Sequence, residues 1–203
     1  MKERPILFSA PMVRALLDGT KTQTRRMVKP PRGYRWLDLA AGTMVNTGGH
    51  KMHRSDLTTP YGQPGDRLWV REAWATHAFL DDVAPRKLTT ASVHYSADGT
   101  IQTGKGRPSI HMPRKYSRID LEVTGVRVER LQDISASDAK AEGIEGQSAH
   151  GPWRNYGRDG YWFPEGKDTA PVLSYRSLWD QINGPDSWAA NPWVWVVEFR
   201  AAR

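Results

Sequence analysis

The sequence predicts an α+β fold, mainly β: a small β-barrel with flanking helices, built as a single domain over residues 1–203. Three observations predict it. Residues 117–131 place Ile119, Leu121, Val123, Val126, Val128 and Leu131 in the near-alternation of a long half-buried strand, and residues 193–199 form an apolar strand fit for a central or barrel-closing position. Short helical patterns fall between several short strands. The length of 203 residues, 38% of them hydrophobic, supports one well-cored domain, with no internal repeat and no linker-like break.

Ser9 and Pro11 open the first helical pattern, in which Val13, Leu16 and Leu17 share a face, and Gly19 supplies the left-handed residue that ends it. Pro30 and Pro31 prevent a helix from resuming. Residues 32–64 show no sustained period and read as a long insertion over the surface, with room for a short strand. Gly65 and Asp66 then turn the chain into a strand with Leu68 and Val70 on one face and Arg67, Trp69 and Arg71 on the other. Residues 93–96 form a second short strand, stopped by Asp98 and Gly99. Within residues 117–131, Gly125 changes the alternation as a bulge or tight bend would.

Ser135 caps a two-turn helix that Gly143 stops. Residues 147–169 are a second loop-rich insertion containing glycine and tryptophan. Residues 172–183 are amphipathic, with Tyr175, Leu178, Trp179 and Ile182 on one face and Gly184-Pro185 as the stop.

No apolar run approaches the roughly 18 residues that a spanning helix needs, and Arg14 and Asp18 interrupt any signal-like apolar core near the amino terminus. These features predict a cytoplasmic protein with no membrane partner. The chain has no cysteine, which excludes disulfides, thiolate nucleophiles and cysteine-based zinc sites. The net charge of +7 is clustered. Lys21, Arg25, Arg26, Lys29, Arg32, Arg35, Lys51 and Arg54 face only Asp38, and Lys105, Arg107, Arg114, Lys115 and Arg118 form a second acid-free stretch. Such clustering suits a polyanion, nucleic acid or nucleotide first, although a solvated basic face is the plainer alternative.

The densest chemistry lies in residues 18–26, where three threonines, a lysine and two arginines follow Asp18 and Gly19. A threonine hydroxyl becomes a nucleophile once a base takes its proton, and a lysine can do so when its amine is partly neutral. Arg25 and Arg26 would lower the Lys21 pKa by repulsion. Lys21 and Thr24 are three apart, so they share a helix face but not a strand face, and cooperation between them requires a turn. The alternative is that Lys21 and both arginines hold phosphate while Thr24 caps or packs. Glu72 and Glu142 are the other polar candidates, and Trp36, Trp69 and Trp74 could stack on bases. The six histidines show no metal spacing, no nucleotide-binding glycine loop is present, and neither metal nor cofactor is implied.

Gly19-x-Lys21-x-x-Thr24-x-Arg26 after a short helix resembles the signature of ASCH domains, small barrels related to the PUA RNA-binding fold. Residues 64–72, residues 119–131 and the closing strand extend the resemblance, in order, to roughly half the chain. The two insertions resemble those of longer members common in phages and prophages. The resemblance implies a cleft beside the Gly-x-Lys motif that takes RNA or a nucleotide. Threonine at Thr24 is similar to members that act as N4-acetylcytidine amidohydrolases, in which lysine, threonine and glutamate form the proposed catalytic set. Carried over, that set is Lys21, Thr24 and Glu142.

Two functions from different classes follow as expectations. One is a hydrolase of the exocyclic amide of an acylated cytidine or related nucleoside, with Lys21, Thr24 and Glu142 catalytic. Arg25, Arg26, Trp69, Arg71, Glu72 and Arg114 are then the substrate- or nucleic-acid-binding residues. The other is a non-catalytic RNA- or DNA-binding module; a ribonuclease has thinner support, since no histidine pair or carboxylate cluster is evident.

Overall fold

The structure, a computed structural model, describes residues 1–89, 92–99, 104–148, 151–164 and 169–202. Its elements run β1 (Glu3–Leu7), α1 (Ala10–Leu17), β2 (Gln23–Met27), β3 (Tyr34–Asp38), β4 (Thr43–Asn46), β5 (Lys51–His53), β6 (Arg67–Arg71), β7 (Trp74–Ala75) and β8 (His94–Tyr95). There follow β9 (Asp120–Arg130), α2 (Ala136–Ala141), β10 (Trp153–Arg154), β11 (Trp162–Phe163), α3 (Ala170–Asn183) and β12 (Trp193–Ala201). The α+β class is therefore as the sequence predicts. Contacts divide the chain into two compact units, Met1–Thr20, Tyr61–Thr124 and Phe199–Arg203 in the first, Lys21–Pro60 and Gly125–Glu198 in the second. Strands β9 and β12 contribute residues to both.

In the first unit β6 lies between β1, its parallel partner, and the antiparallel start of β9. Leu68 and Val70 are fully enclosed as the alternation predicts, but Trp69 on the other face is also buried, since β6 is a central strand. Strand β1 is absent from the sequence reading because Glu3, Arg4 and Pro5 disguise it. Proline is tolerated there because β1 ends the strand order and its outer edge needs no donor. Helix α1 has Pro11 in its first turn and Gly19 at φ +72° just past its end. It packs through Val13 and Ala15, while Leu17, its last residue, lies half in solvent instead of on the predicted apolar face. Trp74 is wholly enclosed by a second small core of Leu88, Met112 and Tyr116, so it is unavailable for base stacking.

In the second unit β12 runs between β9 and β2, and pairs antiparallel with β2 from Val194↔Met27 to Glu198↔Gln23. Val194, Val196 and Val197 have no exposed surface, which marks β12 as central. Its core joins Leu131, Ala139, Trp153, Tyr175, Trp179 and Trp188. In α3 the predicted face buries Tyr175 and Trp179, but Ile182, in the last turn, is exposed. Strand β9 continues through Gly125 without ending. A Cβ at that position would come within 2.7 Å of Glu198 Oε2, so the glycine admits a neighbouring side chain where a bulge or bend was expected.

Both insertions hold more regular structure than their sequences suggest. Residues 34–53 form an antiparallel sheet, β3-β4-β5. It is secured by Trp193, whose Nε1–H donates to Leu39 O at 2.6 Å and whose ring lies 3.9 Å beneath the Arg54 guanidinium. The second insertion contains the β10-β11 hairpin, and its residues 149–150 and 165–168 lie outside the described residues. Among the described residues the ladders leave β1 paired only to β6 and β2 only to β12, so no closed barrel forms. Pro5 removes a donor from the outer edge of β1. Just before β2 the chain meets a non-strand partner, through the bridge Lys21↔Glu142 and the Thr22 N–H to Ala141 O bond at 2.9 Å.

Candidate functional site

The end of α2 lies against the start of β2 and creates a buried ionic network within the second unit. Ser135 begins α2 by accepting the Asp138 N–H on its hydroxyl at 3.1 Å. Asp138 and Glu142 follow four residues apart, so they share a helix face. That face meets the alternate residues Gln23 and Arg25 of β2, which share a strand face. Removing the cap with Ser135→Ala should cost about 1 kcal/mol, read as a lowered urea midpoint with unchanged denaturant slope.

Lys21 is 2% exposed. Its ammonium donates to Gln23 O at 2.8 Å, Glu142 O at 2.7 Å and Glu142 Oε2 at 3.0 Å. Burial holds its pKa below 10.5, helped by Arg26 and Arg25, while the Glu142 carboxylate pulls the other way. Burial has the larger effect, so the neutral amine is more accessible here than on an exposed lysine. The three acceptors suit the three ammonium N–H groups, and loss of a proton leaves one acceptor facing a lone pair.

Arg25 is the hub of the network. Its Nη1 donates to Gln23 Oε1 at 2.9 Å and Glu142 Oε1 at 3.3 Å, and its Nη2 to Glu129 Oε1 at 2.5 Å and Asp138 Oδ2 at 3.2 Å. Burial opposes its charge, but Glu142 and then the other acidic and phenolic neighbours hold its pKa above the usual value. Burial also pushes up Asp138, yet the Gln23 amide at 2.7 Å, Ser135 and Arg25 overcome it and hold the carboxyl below 3.8. Arg127 extends the network, donating to Glu129 Oε2 at 2.9 Å and pairing with Glu198. Buried Tyr175 stays neutral, its pKa raised well above 10 by burial and then by Glu142.

The structure thus brings Lys21 and Glu142 together and leaves Thr24 outside their contact. Thr24 is buried in β2 opposite Val197, on the strand face away from Gln23 and Arg25. Residues 23–27 are strand where a turn was expected, because pairing with β12 extends them. Lys21 precedes the strand, and its amine rests against the carbonyl of the Gln23–Thr24 peptide. Among the described residues the Thr24 hydroxyl makes no hydrogen bond, so it is not committed as a cap.

The expected binding residues fare differently. Arg25 is buried and both its Nη groups donate to protein acceptors, so it does not present a charge to a ligand. Arg26 is half-buried at the next position of β2. Glu72 is 1% exposed and holds Arg118 through two bonds at 2.9 and 3.0 Å, an internal pair that Asp98 completes. Trp69 is buried, with the Arg71 and Arg114 guanidinium groups 4.6 and 5.8 Å from its ring centre. Arg114 also bridges Glu3 and Asp120. The sequence reading missed Gln23, Glu129 and Asp138. The four-residue spacing of Asp138 and Glu142 was legible, but only a strand assignment for residues 23–27 would have aligned Gln23 with Arg25.

Among the described residues no three His, Asp or Glu side chains gather as a metal site, and no helix is long and apolar enough to cross a membrane. No protein-family model, curated protein or solved structure matches this chain.

Proposed function

We propose that this chain is an ASCH-type, PUA-like hydrolase that cleaves the exocyclic amide of an acylated cytidine or a related modified nucleoside. The observation that carries the reading is the buried contact between Lys21 Nζ and Glu142 Oε2 at 3.0 Å, with the lysine pKa lowered by its burial. This is the amine–carboxylate pair that the Gly-x-Lys resemblance calls for, and the uncommitted Thr24 hydroxyl stands three residues along the chain.

In this mechanism neutral Lys21 takes the Thr24 hydroxyl proton as Oγ1 attacks the acyl carbonyl carbon. The tetrahedral intermediate collapses by breaking the bond to the exocyclic nitrogen, which leaves with the proton from Lys21 as the free amine of cytidine. Water, deprotonated by Lys21, then cleaves the acyl ester on Thr24, releasing the carboxylic acid and restoring the hydroxyl. Glu142 holds the lysine through both proton states, and Arg26 keeps the charge of the site or meets an anionic group. Lys21 and Thr24 are not hydrogen-bonded at rest, so substrate binding must draw the amine from one of its acceptors.

The test is the ultraviolet spectrum of N4-acetylcytidine incubated with the pure protein. Conversion to cytidine is expected. No turnover of acetylated or other acylated cytidines would overturn the reading. The engagement of all three Lys21 N–H groups favours a second reading in that event, a structural ion pair in a non-catalytic nucleic-acid-binding protein.

A further inference from the structure

A groove in the first unit, remote in sequence from Lys21 and independent of the hydrolase reading of that site, has its own chemistry. Two adjoining hollows of about 280 and 380 Å³, with Pro85 and His111 in the walls of both, make up the groove. Lys105 and Arg107 line one end and Arg71 and Arg86 the other, with Asp81 the single acid among the lining residues. Arg86, Lys105 and His111 are exposed, and their side chains have no partner among the described residues.

The groove is built rather than a loose collection of surface charges. Trp74 and Arg107 exchange backbone hydrogen bonds at 3.2 and 2.7 Å, which ties the wall to the enclosed tryptophan. The Arg107 guanidinium donates to Leu80 O at 2.7 Å and Asp81 O at 3.3 Å, and its Nε is buried with no partner among the described residues. Arg71 is fixed by Ile110 O at 3.1 Å. Two residues before the lining Asp81 in the chain, the ring of Phe79 is 80% exposed and lies parallel to His77 with centres 5.8 Å apart. One Asp81 oxygen accepts the Lys105 amide at 2.9 Å, while the other has no partner among the described residues.

We propose that this groove binds single-stranded RNA. Arg86, Lys105 and Arg107 take phosphates, and Phe79 stacks on an unpaired base, which a duplex does not offer. The open Asp81 oxygen repels phosphate but accepts a hydrogen bond from a ribose 2′-hydroxyl, a donor that DNA lacks.

The experiment is fluorescence anisotropy with a labelled 12-nucleotide RNA, the same sequence as DNA, and its RNA duplex, titrated at several salt concentrations. The single-stranded RNA is expected to bind tightest. Arg86→Ala combined with Lys105→Ala should flatten the log–log salt dependence by about 1.4, at roughly 0.7 for each phosphate that is no longer neutralised. Phe79→Ala should weaken binding about five- to a hundredfold with the salt slope unchanged. All three side chains are exposed, so circular dichroism should confirm an intact fold. Absent RNA binding at low salt, equal binding of duplex and single strand, indifference to Phe79→Ala, or a preference for DNA would each overturn the proposal. The titration involves no hydrolysis, so its failure would leave the Lys21 reading standing.

Discussion

Glu142→Ala should destabilise the folded chain by about 3–5 kcal/mol, the usual cost of removing one partner from a buried charge pair. The carboxylate is 3% exposed and accepts from both Lys21 and Arg25, so its loss leaves two buried cations short of one anion. Glu142→Gln should cost less, since the amide oxygen still accepts one bond. Urea unfolding of both variants checks the order, and a cycle with Lys21→Met measures the pair itself. The network also predicts acid sensitivity. Asp138 titrates below 3.8 in the folded state, so its contribution is present above the unfolded pKa and is lost as pH falls through the lower folded value. A loss of Glu142 costing no more than an ordinary surface substitution would show that the network does not hold α2 to β2.

Lys21→Met should lower hydrolysis of N4-acetylcytidine by about 10²–10⁴-fold, the range for losing a positioned proton acceptor, and Thr24→Val, which removes the nucleophile itself, by at least as much. Valine keeps the shape of Thr24 in its buried place opposite Val197 and removes only the hydroxyl, so a fall in kcat with an unchanged urea midpoint separates chemistry from folding. The pH profile gives the second arm. A lysine base works when neutral, so kcat/KM should rise with pH and level off below 10.5, where burial places Lys21. Glu142→Gln removes the neighbour that favours the ammonium, and should move that rise to lower pH. The same shift has a stability consequence that runs in the same pH direction as that of Asp138, in a higher pH window. Between the folded Lys21 pKa and 10.5 the unfolded chain binds more protons, so this group's effect makes the fold more stable as pH rises. Full activity in Thr24→Val would exclude the acyl-threonine route.

Much of this was legible in the sequence where the local signals agreed. Ser135 and Gly143 bracket α2, Gly19 ends α1, and the valines of β12 mark a central strand, because caps and continuous apolar runs act within a few residues. The Lys21–Glu142 contact spans 121 positions and came from resemblance rather than periodicity. The network around it was hidden because residues 23–27 carry the charges of a turn. Only pairing with β12 makes them a strand, and only burial turns Arg25 from a binding residue into an internal one. Strand β1 was masked in the same way by Pro5, and the β3-β4-β5 sheet by a composition that suggests a loop.

The anchoring of that sheet changes which bonds a protease can reach. A basic, loop-like insertion would offer trypsin cuts after each of Arg32, Arg35, Lys51 and Arg54. Proteases bind their substrates as extended, unpaired chain, and Arg35 and Lys51 both lie in the ladder opposite Val45, while the Arg54 side chain rests on Trp193. Arg32, exposed in the turn before β3, is the bond left open in the native state, and the other three become substrates only when the sheet opens.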